Sequence, residues 1–194
     1  AWFPESDPRV LIYGSVFNNF HNFWDCCLHI EYSIWLYVNT YGDEDKIIFK
    51  RNNDVALYLD RTTATLKCLV GEENAQGDIY DNTNAIDVTN NFPLQKWVHI
   101  LISVDNTIVD VYLDGVNITD NGTFNTAFSD TAMKIFQNST ACTIGGRAGS
   151  STASDYLFDG YMAEINFVDG QAYDPSYFAE TDVITGQWNP QKYG

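Results

Sequence analysis

Carboxylates, thiols and imidazoles are the side chains of this sequence whose spacing could support chemistry, and the acids bear on it most directly. Two carboxyls about 5–5.5 Å apart suit retaining cleavage of a glycosidic bond and two about 6.5–9.5 Å apart suit inversion, so acids at i and i+2 of one strand are the natural source. Asp110 and Asp114 share a strand face but stand about 13 Å apart at roughly 3.3 Å per residue, too far for either geometry. Glu164 has Asn166, not an acid, two residues on. Asp43 and Asp45 have the spacing, yet in "YGDEDK" they occupy a turn, where acids solvate. No G-x-S-x-G or Walker-type loop is present, and "IGGRAGSS" has glycines without the strand-to-helix setting of a phosphate cradle. No catalytic residue is assigned, and the expectation is a protein that is not an enzyme.

His21, Cys26, Cys27 and His29 form a cluster of zinc-ligand types. Adjacent cysteines rarely ligate one tetrahedral ion together, and His29 alternates within a strand, so no zinc site is expected. Cys26, Cys27, Cys68 and Cys142 leave two readings open. Cys68 shares a face with Leu66 and Val70, and Cys142 with Ile144, as buried thiols would; one or more disulfides in an extracellular or particle setting is the alternative. Asn117, Asn121 and Asn138 each open a glycosylation sequon. Trp35, Tyr37, Tyr112, Tyr156 and Tyr173 are candidates for stacking on a sugar, because each joins an apolar plane to a polar tip.

The elements that must position these residues are strands. In "LHIEYSIWLYV" Leu28, Ile30, Tyr32, Ile34, Leu36 and Val38 alternate with His29, Glu31, Ser33, Trp35 and Tyr37, a period of two. "DKIIFKR", "DVALYLD", "TATLKCLV", "KWVHILISVD", "TIVDVYLDG" and "YMAEINFVDG" read the same way, and Gly42-Asp43, Asn52-Asn53, Asp60-Arg61, Asp105-Asn106 and Asp114-Gly115 supply turns. No segment sustains a helical period. The fold expected is all-β, with two antiparallel sheets packed face to face in a β-sandwich. A chain of 194 residues, 45% hydrophobic, can bury one sizeable core, and no linker divides it. With 26 acids against 10 Lys and Arg, the net charge of −16 disfavours nucleic acid and anionic membrane as partners. No apolar run is long enough to span a bilayer, and "AWFPESDP" lacks the basic start and apolar core of a signal peptide. The expectation is a soluble chain, either mature or cut from something longer.

The order of "EYSIWLYV", "IIFKRNNDVALYLD", "TLKCLV", "FPLQKWVHILISVDNTIVDVYLDG", "CTIGGR" and "FDGYMAEINFVDG" resembles that of laminin-G-like domains, which have the concanavalin A-like jelly roll. The resemblance covers residues 28–178, with an N-terminal extension over 1–27 and a tail over 179–194 that packs on the domain. "DGQAYDPSYFAETDVITGQWNPQKY" is further similar to the ends of such domains in phage and large-DNA-virus structural proteins. The E-x-D-x-x-E pattern of related glucanases is absent. Rim acids in such relatives often hold calcium, which makes Asp43, Glu44, Asp45, Asp155 and Asp159 calcium candidates here, although no cofactor is required.

Two functions remain on this basis, and "DGQAYDPSYF", read as a packing segment, favours the first over the second. One is a structural or assembly module on a virion, tail fibre or extracellular filament that self-associates with copies of itself. The other is a glycan-binding, lectin-like module at a cell or particle surface. "DGQAYDPSYF" reads as a plug closing the bottom of the domain's own core, since its Pro cannot continue a central strand. Residues 9–17, within the apolar "PRVLIYGSVFNNFHNFW", read either as a first strand beside "YMAEINFV" or as a strand donated to a neighbouring copy.

Overall fold

The computed structural model describes residues 29–42, 45–51, 55–70, 85–89, 92–105, 108–119, 123–124, 142–146 and 156–192. The expected N-terminal strand over 9–17, Cys26, Cys27, Asp43, Glu44, Asn53, Asn106, Asn121, Asn138 and Asp155 lie outside them.

Alternation of apolar and polar residues is realised as antiparallel strands throughout. They are β1 (His29–Val38), β2 (Lys46–Arg51), β3 (Val55–Asp60), β4 (Thr65–Val70), β5 (Ala85–Thr89), β6 (Trp97–Asp105), β7 (Ile108–Leu113), β8 (Val116–Asn117), β9 (Thr123–Phe124), β10 (Cys142–Ile144), β11 (Gly160–Asp169), β12 (Ala179–Thr181) and β13 (Trp188–Pro190). One sheet has five strands in the order β11-β1-β6-β7-β8, a second has six in the order β10-β2-β3-β4-β5-β9, and β12 pairs with β13 alone. A β-sandwich follows, because the core draws Tyr32, Ile34, Leu36 and Val38 from β1, Val98, Ile100 and Ile102 from β6, Ile48 and Phe49 from β2, Leu57 and Leu59 from β3, and Leu66 and Cys68 from β4. Each such Leu or Ile contributes about 1.5–3 kcal/mol by leaving water. Among the described residues no helix is long and apolar enough to cross a membrane.

Two glycines allow close approaches on the five-stranded sheet. Asp114 and Gly115 both have positive φ, 48° and 79°, which makes the tight hairpin between β7 and β8. A Cβ on Gly115 would lie 3.0 Å from the Trp188 ring, so this turn needs glycine twice over. At Gly160 a Cβ would run into the Tyr37 carbonyl oxygen, where β11 joins β1.

The structure corrects several expectations. Glu164, at φ 47°, sits in a bulge where the pairing of β11 with β1 shifts. That extra residue changes the parity of the strand, so Met162 before it and Ile165 and Phe167 after it all reach the core. Of the two readings left open for Cys68, the structure has the buried free thiol: it is sealed in the core, and burial pushes its pKa up to about 12, which keeps it an inert thiol. "DGQAYDPSYF" does not plug the bottom of the core. Asp174 caps a short 3-10 turn at Pro175–Tyr177, and the segment runs across the outer face of the five-stranded sheet, where Phe178 and Ala179 are buried and the backbone N–H of Tyr173 donates to Glu31.

Candidate functional site

That outer face carries the residues with chemistry to offer. Because β1 alternates, Glu31, Ser33, Trp35 and Tyr37 stand opposite its core residues. Register sets them across from Ser103, Leu101, His99 and Trp97 of β6 in turn.

One end of the face is covered by the C-terminal segment. Glu31 is fully buried there; its Oε1 accepts the Tyr173 backbone N–H and the Ser103 hydroxyl, the latter at 3.2 Å. Oε2 has no partner among the described residues. Burial pushes this carboxyl up to about 7, and the nearby charge of Asp174 adds to the rise against the two hydrogen bonds. Beside it the Trp188 indole N–H, which can only donate, reaches His99 Nδ1 at 3.3 Å. The imidazole proton therefore sits on Nε2, which donates to Ser33 Oγ at 2.9 Å. Burial lowers the His99 pKa to about 4.

This pair has the composition of a nucleophile and its base but not the polarity. A base must accept the serine proton, whereas here the serine oxygen accepts from the histidine, and neither group meets solvent. Trp35 stacks on His99 at a centroid distance of 5.2 Å and is only 3% exposed. Expected to offer its indole to a sugar, it is instead a buried part of this layer.

The other end of the face is open and aromatic. Tyr37 of β1 lies directly between Trp97 of β6 and Tyr161 of β11 in register. Its ring meets theirs edge to face, at centroid distances of 5.7 Å and 5.7 Å and interplanar angles of 61° and 67°. Tyr161 is 45% exposed, and Tyr37 and Trp97 are half-buried. The row is held from behind: Gln95 N–H donates to the Val38 carbonyl at 2.8 Å, and Asn39 N–H to the Asp159 carbonyl at 3.0 Å. Trp97 and Tyr161 were not among the candidates read from sequence. Strand parity could have found Trp97, since alternation puts it opposite Val98 and Ile100.

The remaining candidates are dispersed. Tyr112 is half-buried on β7, its hydroxyl pKa raised by burial and by nearby Asp110. Tyr156 is half-buried in the approach to β11, and Tyr173 packs in the tail against Tyr177 and Phe178. Of the calcium candidates, Asp45 accepts the Arg61 backbone N–H at 2.9 Å, and Asp159 accepts from Asn39 Nδ2 and Thr40 Oγ1, both at 3.0 Å. Among the described residues no three His, Cys, Asp or Glu side chains converge on a metal site. Asn117 is exposed, and its amide bonds Asp110 and the Thr119 backbone. Cys142 lies on β10.

A family model described as the concanavalin A-like lectin/glucanases superfamily matches residues 31–174. No curated protein matches the chain by sequence. Among solved structures, a Bacteroides ovatus protein described as carbohydrate-binding is 13% identical at a TM-score of 0.55, over 87% of this chain and 52% of its own. Domain 4 of a Geobacillus stearothermophilus extracellular arabinanase, solved with arabinotriose, is 19% identical at 0.49, over 79% of this chain and 66% of its own. A heptameric pentraxin of Limulus polyphemus is 13% identical at 0.49, over 78% of this chain and 68% of its own. The chain thus spans about half the length of the first of these, and the likeness to it is one of fold.

Proposed function

The chain belongs to the concanavalin A-like lectin/glucanase superfamily, and from that membership we propose that it is a carbohydrate-binding module without catalytic activity. The observation that carries the reading is the row Trp97–Tyr37–Tyr161: three neighbouring aromatic rings, each with a polar tip, at the open end of one sheet face. The likeness in fold to a protein described as carbohydrate-binding supports it. The absence of catalysis is supported by the acids and the histidine themselves. Glu31 and the Ser33–His99 pair are sealed under the tail, and Glu164 belongs to a bulge with Asn166 as its near neighbour. The test is binding of soluble polysaccharides by the full chain and by Tyr161→Ala. A tenfold or larger loss in the variant supports the reading, equal binding by both removes the row from it, and release of reducing sugar by the intact chain overturns the non-catalytic part.

The setting that suits this function is the cell exterior or a particle surface. The reading needs no cofactor. Calcium at the rim acids Asp45 or Asp159 is a separate proposal, and a melting temperature unaffected by exchanging chelator for millimolar calcium counts against it.

A second reading, self-association of copies on a virion, tail fibre or filament, rests on Val183 and Ile184. These adjacent apolar residues at the tip of the tail turn are 98% and 90% exposed, as residues at a contact between copies are before assembly. Light scattering at high protein concentration tests it. A monomer throughout removes this reading, and assembly abolished in Val183→Ser with Ile184→Ser supports it.

A further inference from the structure

Taking the carbohydrate-binding reading as its basis, we infer that the row Trp97–Tyr37–Tyr161 takes a single, soluble, uncharged saccharide chain, and discriminates against both flat crystalline polysaccharide surfaces and acidic glycans. The first half of this rests on ring geometry. A crystalline face presents its sugar rings in one plane, so a platform for it must be coplanar. Here Tyr37 is turned by 61° from Trp97 and by 67° from Tyr161, so the three rings do not present coplanar faces. A free chain can rotate about each glycosidic bond and turn one C–H face after another toward rings that are themselves turned. The row also runs across the strands, one ring per strand, with the two centroid steps equal at 5.7 Å. Successive contacts are therefore evenly spaced along the ligand.

The second half rests on charge. The chain carries −16 overall, a field that opposes carboxylated or sulfated sugars. At the row, Asp159 lies beside Gly160 and Tyr161, its carboxylate held in place by Asn39 and Thr40. Lys96, exposed next to Trp97, is a basic residue at the opposite end. A lysine against that background is a poor basis for selecting an anion, whereas tyrosine hydroxyls of the row can pair with neutral sugar hydroxyls.

The experiment compares three probes on the full chain: soluble neutral polysaccharides (galactomannan, arabinan and a mixed-linkage glucan) by affinity electrophoresis and calorimetry, microcrystalline cellulose and chitin by pull-down, and polygalacturonate and heparin at physiological salt. Trp97→Ala and Tyr161→Ala are run beside Val183→Ser, which lies in the tail turn, with circular dichroism to establish that each is folded. The result expected is binding to at least one soluble neutral polysaccharide, weakened tenfold or more in Tyr161→Ala and in Trp97→Ala and unchanged in Val183→Ser. Row-dependent binding that is equal or stronger on crystalline cellulose, chitin, polygalacturonate or heparin overturns this inference and leaves carbohydrate binding standing. Failure of every probe to bind through the row overturns both. Should Trp97→Ala unfold, Tyr161→Ala decides alone, because that ring is 45% exposed and its removal opens no cavity.

Discussion

The two ends of one sheet face differ more than their sequences suggest. Both are built from alternate residues of β1 and β6, and both carry an indole on those strands, Trp35 at one end and Trp97 at the other. At one end the tail lies over Glu31, Ser33, Trp35 and His99 and excludes water from them; at the other the row of Tyr37, Trp97 and Tyr161 is left partly open. The covered end holds the residue types usually associated with catalysis, yet its polar groups serve to dock the tail. The open end has no titratable acid or histidine in its ring row, yet it is the part a ligand can reach. Access, set by the last residues of the chain, therefore sorts the two ends where residue type would have ranked them the other way.

Substitutions can break or sharpen this contrast. The largest effect is expected from Gly160→Ala, whose new methyl group would collide with the Tyr37 carbonyl. Separation of β11 from β1 should cost about 3 kcal/mol or more and scatter the row, seen as an early denaturant midpoint together with lost glycan binding. Next comes Glu31→Gln. Its carboxyl goes from an ordinary 4.5 to about 7 in the fold, so the folded state binds the proton more tightly. Wild-type stability should accordingly fall as pH rises from 4.5 through 7, by on the order of 3 kcal/mol once the carboxylate is fully formed. Glu31→Gln keeps the acceptor for Tyr173 and Ser103 and should flatten this dependence, melting above the wild type at pH 8 and close to it at pH 4.5. A wild-type melting temperature that rises over the same interval would refute the assignment.

Smaller effects test the cover and the row separately. Trp188→Ala removes the donor to His99 and the ring over Gly115, for a loss of about 2 kcal/mol, and it should open Trp35 to acrylamide quenching without weakening glycan binding. Tyr161→Ala should show the reverse pattern, with stability within about 0.5 kcal/mol of wild type and binding down tenfold or more. If both variants lose binding equally, the two ends are not independent.

Much of the sandwich was legible beforehand, because the period-two patterns of "EYSIWLYV", "VALYLD" and "WVHILISV" assign their core faces residue by residue. Turn chemistry was legible too at Asp114-Gly115, where positive φ occurs as expected. The bulge at Glu164 was not, since nothing in "YMAEINFV" marks which residue will be extra, and counting by twos would put Ile165 and Phe167 on the face opposite Met162. The row was only a third legible. Tyr37 was named, but its meeting with Trp97 and Tyr161 depends on register between strands far apart in the chain. The burial of Trp35 was hidden for a related reason: its own strand places it outward, and only the path of the tail covers it.

The hydrogen bond from Trp188 to His99 also makes the tail observable one proton at a time. The indole hydrogen is held by a ring that stays neutral from about pH 5 upward, given the low His99 pKa of about 4. Its exchange with deuterium requires that this bond open, so the exchange rate of a single resolved indole resonance acts as a clock for how often the tail lifts from the sheet.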